Sequence, residues 1–527
     1  MLPTPRVSTA LRNPRLLSTE VLAGAVTTLA LIPEVISFSV IAGVDPKVSL
    51  VASVVLTISM TVLGGRPAVI TAAAGAVALV VAPLVHTHGA QYLLPTVVLA
   101  GLVQILFGLF GLARIMRFIP RSVMIGFVNA LGILIFTAQL QHVIGVPLAV
   151  YPLFAVTIVI VLVLPRLTTA VPAPLVAIVL VTAVAIIARI SVPTVGDQGE
   201  VAGGLPGLTP LEVPWDLETL QIIGPTALSV AFVGLMETLL TAKLVDDITE
   251  TGSSKSRESW ALGIANILAG FWGGIAGCAM IGQTVMNVKL GRARTRISTL
   301  AAGLLLLVLV TVASDLMARI PMSALAAVMM VVALSTVDLH SVRPSTVRRM
   351  PLSETAVMVV TVAVVVLTHN LAIGVAAGTL LAIILFARRV AHVTTVHRRV
   401  RPGGSEVTPD EVVPEDRTAA LPDGGDPVIP DHGIAATTEG DPTEVIYTVH
   451  GPLFFGSSND LVEQFSYAED PPQVTVDFSA AQIWDASTVA ALDSVRTKYA
   501  DHDVHVDFIG LDARSLRFHE RLSGTLN

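Results

Sequence analysis

Long apolar runs, cut at short intervals by charged or Gly/Pro-rich turns, dominate the first 390 positions. About 20 apolar residues cross the hydrocarbon core of a bilayer. On that measure the chain holds about fourteen candidate spans: 20–42, 47–63, 69–85, 92–112, 122–141, 148–165, 172–190, 221–243, 258–276, 278–289, 297–314, 321–337, 353–369 and 371–388. Two are short, 69–85 and 278–289, and each follows a break. The breaks are Gly64-Gly65-Arg66-Pro67 and Gly273-Gly274-Ile275-Ala276-Gly277.

The positive charges test this count, because loops on the cytoplasmic side are enriched in Lys and Arg. Letting the chain alternate from an inside N-terminus puts 22 Lys and Arg inside and only Lys47, Arg189 and Arg319 outside. A missed or invented span would swap every later loop and spoil that bias. The fourteen spans divide into seven plus seven, and an odd number per half requires the halves to be inverted if they are repeats. The short spans are the third of each half. Paired, Gly-interrupted segments at matching positions are the sequence mark of a transporter's binding site.

The pattern changes beyond residue 390. Residues 401–442 carry ten acidic residues among many Pro and Gly, with no apolar period, and read as a linker. Val445–Val449, Val474–Phe478 and Val504–Ile509 then read as strands, with helical stretches 457–468 and 487–500 between them. That alternation predicts a small α/β domain of about 85 residues. The expected organisation is a cytoplasmic N-terminus (1–19), a seven-span repeat (20–190), an extracytoplasmic loop (191–220) and a second seven-span repeat (221–390). A cytoplasmic acidic linker (391–442) and the α/β domain (443–527) follow.

Composition supports a membrane body. The chain is 53% hydrophobic and 13% charged, with a mean hydropathy of +0.77, whereas soluble proteins carry about 25% charged residues. This excludes an ordinary cytosolic enzyme, a disordered chain and a nucleic-acid binder. The net charge of −7 combines +9 over residues 1–400 with −16 over the remainder. A single cysteine, Cys278, excludes an intrachain disulfide and a Cys-based metal site. The first twenty residues lack the apolar core of a signal peptide, so insertion by the first span is expected. There is no Walker A pattern and no nucleophile–His–acid arrangement, so no enzyme, cofactor or metal is expected.

A broken helix matters because its N-terminus presents unpaired N–H groups and about half a positive charge. Two half-helices meeting near the midplane would bind an anion without Lys or Arg. The candidate runs are Thr71–Ala76 and Cys278–Gln283, whose small side chains admit an oxyanion to the backbone. Ionisable groups inside spans are costly and therefore functional by default. Glu34, beside Pro33, and Glu237 occupy the first span of each half, where each could take up H⁺ or bind Na⁺. Thr241, one turn beyond Glu237, could share a cation, and Phe38, one turn beyond Glu34, could line the site. Gln104, Asn129, Gln139, Asn266 and Asn287 read as interhelical hydrogen-bond partners. Asp246, Asp247, Glu250, Lys255, Arg257 and Glu258 read as a solvated, salt-bridged inside loop.

Several stretches carry a family resemblance. Leu22-Ala23-Gly24-Ala25-Val26, Ile32-Pro33-Glu34, Ala42-Gly43-Val44, Phe118–Phe127, Val245-Asp246-Asp247 and Gln283–Val288 with Gly291 and Arg294-Thr295-Arg296 resemble the SulP anion permeases. Val474–Leu492, with Asp485-Ala486-Ser487 at the loop, resembles a STAS domain. The resemblance implies a helical membrane protein with a seven-plus-seven inverted repeat. Spans one to four and eight to eleven would form a core domain and the others a gate domain. It also implies elevator-like movement, a homodimer, and inorganic oxyanions such as sulfate or bicarbonate as cargo. Substrate-binding positions would be Phe38, Ala73, Ala74, Gly75, Ala279 and Met280, with Glu34, Glu237 and Thr241 serving ion coupling. The chain departs from the family where Ala73-Ala74-Gly75 replaces the Pro-Thr-Gly of many relatives, which removes a hydroxyl. Ser487 matches the serine phosphorylated in stand-alone STAS relatives, although Thr488 replaces the following glycine; the bland alternative is an N-cap made by Asp485 or Ser487.

The expected function is secondary-active transport of an inorganic anion, sulfate or bicarbonate first, by H⁺ or Na⁺ symport. The expected partners are the bilayer, a second copy of the chain and a cytoplasmic ligand of the STAS domain, in the cell membrane with both termini cytoplasmic. The alternatives are an uncoupled anion channel or exchanger, a dicarboxylate transporter, a nucleobase or ascorbate permease, and a membrane-tethered regulator.

Overall fold

The structure is a computed structural model. It describes residues 7–111, 119–168, 172–199, 207–214, 216–391, 394–402, 442–454 and 456–524. Phe118 of the family-like stretch and most of the acidic linker, 403–441, lie outside the described residues. The chain divides into two compact units, Met1–Ala382 and Ile383–Asn527.

In the first unit, α1 (Val7–Arg12) precedes α2 (Pro14–Ala42), α3 (Pro46–Leu63), β1 (Thr71–Ala73), α4 (Gly75–His88) and α5 (Leu93–Leu109). The half closes with α6 (Arg121–Gln139), α7 (Val150–Leu167) and α8 (Ala173–Ile187). The second half runs through α9 (Leu217–Thr249), α10 (Lys255–Gly270), β2 (Gly277–Ala279), α11 (Ile281–Val285), a π-helical turn Met286–Leu290 and α12 (Arg296–Val312). It ends with α13 (Ser314–Ala318), α14 (Met322–Thr336), α15 (Pro344–Val347), α16 (Leu352–Thr368) and α17 (Leu371–Ala391), whose residues from Ile383 on belong to the second unit. Every one of the fourteen expected spans therefore contains a helix.

The two short spans differ from expectation. They are not helical throughout: each opens as a three-residue strand. The strands pair antiparallel, Thr71 with Ala279, Ala72 with Cys278 and Ala73 with Gly277. All six residues are buried. Non-helical backbone survives at membrane depth only when protein supplies its hydrogen bonds, and here it does. The inner edges bond to each other, while the outer edges are served by side chains. Thr57 Oγ1 donates to Thr71 O at 2.8 Å and Ser53 Oγ accepts from Ala73 N at 3.1 Å. On the other strand, Thr238 Oγ1 accepts from Ala279 N at 3.0 Å. Asn266 accepts from Gly277 N at 2.7 Å and donates to Gly277 O at 3.2 Å.

The helices of this unit sort into two packed groups. In one, α2, α3, α4 and α5 pack with α9, α10 and α12 around the strand pair; in the other, α6, α7 and α8 pack with α14 and α16. The first group contains the spans assigned above to a core domain. Interhelical polar pairing follows the sequence reading for Asn266, which donates to Gln104 at 2.9 Å, whereas Asn129 donates to Ser341 in the turn after α14 at 3.0 Å. The loop cluster is less solvated than expected. Arg66, buried, pairs with Asp246 at 3.1 Å. Glu258, also buried, accepts from Gly65 N and Arg66 N, pinning the first break to α10.

The second unit is a four-stranded sheet in the order β3 (Thr395–Pro402), β4 (Pro442–Leu453), β5 (Gln473–Ile483), β6 (His505–Ile509). Strands β4, β5 and β6 are parallel, and β3 is antiparallel to β4. Helices α18 (Ser458–Glu463), α19 (Ala486–Ala500) and α20 (Ala513–Leu522) complete it. The expectation of a linker starting at 391 is corrected by β3. Four of its eight residues, His397, Arg398, Arg399 and Arg401, are His or Arg, so it lacks the apolar alternation of a strand and suits a sheet edge. The helix expected over 457–468 is only six residues long. The core gathers Tyr447, Val476, Phe478, Leu492 and Tyr499. Asp470, buried, accepts from Arg398 Nη2 at 2.7 Å, Tyr447 Oη at 2.7 Å and Tyr499 Oη at 2.6 Å.

Candidate functional site

The strand pair organises the candidate residues. Helix α4 leaves one end of the ladder and α11 the other. Neither has a side-chain N-cap. The first-turn amides of Gly75, Ala76 and Val77, and of Ile281, Gly282 and Gln283, therefore have no helical acceptor. The amides of Ala73, Ala279 and Met280 are already engaged, by Ser53, Thr238 and the Ile70 carbonyl. Of the candidate positions, Gly75 and its successors hold the open donors, while Ala73, Ala279 and Met280 contribute small or apolar walls.

Helix α2 runs past both starts. Glu34 and Phe38 are one turn apart, about 6 Å along the axis. Glu34 is hydrogen-bonded to Gln283 in the first turn of α11. The Phe38 ring lies against Gly75: a Cβ there would sit 2.6 Å from Phe38 Cε1. Only glycine permits that approach. Ala73, Ala74, Ala279, Met280 and Phe38 are all buried, and Glu34 is partly so.

Helix α9 closes the other side. Cys278 Sγ donates to Glu237 Oε2 at 2.9 Å. Thr241 Oγ1 donates to Glu237 O at 2.8 Å and Ala279 O at 3.2 Å, so its proton serves backbone while its lone pairs remain. Gly277 is required at the ladder, because a Cβ would meet Ala72 O at 2.3 Å. The structure thus brings Glu34, Phe38, Gly75, Glu237, Thr241 and Ala279 to one strand pair. Sequence reasoning placed Thr71, Cys278 and Gln283 in the candidate half-helix runs without foreseeing that Gln283 and Cys278 hold the two glutamates, and it gave no role to Ser37, whose hydroxyl, like that of Thr71, is buried and unpartnered. The signal for Ser37 was its position about one turn beyond Glu34 on α2.

In the second unit Asp485 is the N-cap of α19, its Oδ1 accepting from Thr488 N at 3.1 Å. Ser487 is exposed in the first helical turn and plays no capping part.

A buried strand pair between two seven-span halves, flanked by helix starts and intramembrane carboxyls, defines a polytopic membrane transporter fold. The Sulfate permease family profile matches residues 17–162 and 148–363, and the STAS domain profile residues 435–523. A protein of Bacillus subtilis strain 168, YbaR, named as a candidate sulfate transporter, is 43% identical over 94% of this chain and 95% of its own. The bicarbonate transporter BicA of Picosynechococcus is 22% identical over 95% of this chain and 90% of its own. Among solved structures, the transmembrane domain of a cyanobacterial BicA matches with a TM-score of 0.62 and 25% identity, covering 68% of this chain and 97% of that one. The murine Slc26a9 anion transporter in its inward-facing state matches with a TM-score of 0.78 and 15% identity, covering 96% and 87%. The chain belongs to the sulfate permease family of anion transporters and ends in a STAS domain.

Proposed function

We propose that this chain moves an inorganic oxyanion, sulfate or bicarbonate, across the cell membrane by H⁺ or Na⁺ symport, with both termini cytoplasmic. The observation that carries the reading is the passage of α2 along both helix starts, with Glu34 at one and Phe38 at the other. Open first-turn amides supply donors and a partial positive charge in a medium of low dielectric. They compensate an oxyanion without a fixed cation, so the anion is held but not trapped. Glu34 and Glu237 border the same strand pair, and a carboxyl that takes a proton or Na⁺ there favours the anion and is favoured by it, which is coupling. Alternating access is assigned to elevator-like movement of the first helix group against the second. A homodimer and a STAS partner, with Ser487 as the modifiable residue, complete the proposal. The sequence relatives named for sulfate and bicarbonate transport support this choice of cargo.

The test is uptake of radiolabelled sulfate and bicarbonate into proteoliposomes, with pH and Na⁺ gradients imposed separately. Accumulation of one anion driven by one gradient is expected. A flux that follows voltage alone would replace symport by a channel, and no uptake of either would remove this cargo assignment.

A further inference from the structure

Two cavities adjoin at the end of α8. The first is a crevice of about 410 Å³ between α2, α8 and the α12–α13 corner, walled by Ile32, Ile178, Ile186, Leu309, Met317 and Ile320. Among its lining residues the one polar side chain is Thr182, which is buried and whose hydroxyl has no partner. The second, also about 410 Å³, shares Ile186 and is bordered by Arg189, Thr194, Asp315 and Arg319. Arg189 follows the end of α8 and Arg319 the end of α13. Both are exposed, and neither forms an ion pair among the described residues.

An apolar slot inside a membrane body thus opens at a mouth holding two unpaired guanidinium groups. With Lys47 these are the Lys and Arg that span alternation puts on the face away from the arginine-rich loops. Asp315 borders the same mouth but forms no ion pair with either arginine among the described residues, so it offsets their attraction for an anion only in part. A small inorganic anion would use the mouth and leave the slot idle. A zwitterionic lipid would fill the slot but bring its own cation to the arginines.

We propose that the crevice binds one anionic phospholipid, an acyl chain against the Ile186–Met317 wall and the phosphate at Arg189 and Arg319. The guanidinium fork suits phosphate oxygens, and each basic side chain at an anionic lipid surface contributes on the order of 1 kcal/mol. Asp315 opposes the phosphate and tunes the site downward. This assignment is independent of the cargo.

Native mass spectrometry of the purified full chain, with phosphatidylglycerol and phosphatidylcholine of equal chain length, tests it. One phosphatidylglycerol should be retained where phosphatidylcholine is lost. Removing both charges in R189Q/R319Q should weaken retention about 30-fold. R189K/R319K should keep much of it, and D315N should strengthen it. M317W, which fills the slot and keeps both arginines, should lose it. A phosphatidylglycerol with a photoactivatable tail should label the segments 178–187 and 309–320 in vesicles. Equal retention of the two lipids, unchanged retention in both R189Q/R319Q and M317W, or displacement by inorganic phosphate would overturn the proposal. If R189Q/R319Q does not fold, M317W and D315N decide it.

Discussion

Cys278 Sγ donates to Glu237 Oε2 across 2.9 Å, fastening the middle of β2 to the carboxyl of α9. Replacing Glu237 by Gln keeps an oxygen to accept that bond and removes the capacity to take up a proton or hold a cation. Gradient-driven accumulation of the anion should fall by roughly 10- to 100-fold, the span of ordinary coupling free energies. Thermal stability should change little. Undiminished response to pH and Na⁺ gradients would remove Glu237 from coupling.

The same geometry makes a chemical prediction. Cys278 is fully buried, and buried thiols away from cationic groups are inert. A maleimide should label the single cysteine only after denaturation. Rapid labelling of the native protein, in either the presence or absence of sulfate, would mean that the strand pair opens to water.

Gly75 and Phe38 approach each other closely at the start of α4. A Gly75→Ala methyl would lie 2.6 Å from the ring, and overpacking of this kind costs about 1–3 kcal/mol. Transport should fall sharply in Gly75→Ala and recover in part when Phe38→Leu is added. A double-mutant cycle should give a coupling above about 0.5 kcal/mol; additive losses would show that the ring and the helix start do not depend on each other.

Asn266 serves the outer edge of β2 through both its oxygen and its nitrogen. Asn266→Leu leaves the Gly277 N–H and carbonyl without partners in a dry interior. A loss of about 2–4 kcal/mol is expected, from two orphaned groups. A drop in melting temperature in detergent measures it, and an unchanged value would mean that water or a shifted backbone replaces the side chain.

The STAS unit should fail at high pH. Burial pushes the Tyr499 hydroxyl upward, helped by its bond to Asp470, and burial pushes Tyr467 up to about 12. Both groups stay protonated in the folded unit when an unfolded tyrosine would ionise near 10. Their contribution is therefore complete below about pH 10 and is lost as pH rises through the folded values. Tyrosinate absorbance should show at least two of the five tyrosines ionising late and together with loss of the β signal. Simple titration of all five near pH 10 would contradict this.

Hydropathy and the arginine bias were enough to read the spans and the two halves, because crossing a bilayer imposes length and apolarity on each segment by itself. The three parallel strands of the tail were legible for a similar local reason, their runs of β-branched and aromatic residues. Strand β3 was not, since His397, Arg398, Arg399 and Arg401 belong to an edge and its place is set by pairing with β4. Nor was the strand character of Thr71–Ala73 and Gly277–Ala279: three residues carry no period, and the partners lie more than 200 positions apart.

The sequence by itself determined that the protein is a membrane body of two seven-span halves with a small α/β tail, and it marked Glu34, Glu237 and the two broken spans as special. Those are properties of single segments, set by the cost of polar groups in hydrocarbon. Tertiary structure alone decided which groups meet: Glu34 with Gln283, Phe38 with Gly75, Cys278 with Glu237, and Asn266 with the strand edge. The hydrogen-bonded pairings satisfy backbone or carboxyl groups that cannot turn to water, the Phe38–Gly75 contact fills space beside a helix start, and both requirements are met only when distant segments pack together.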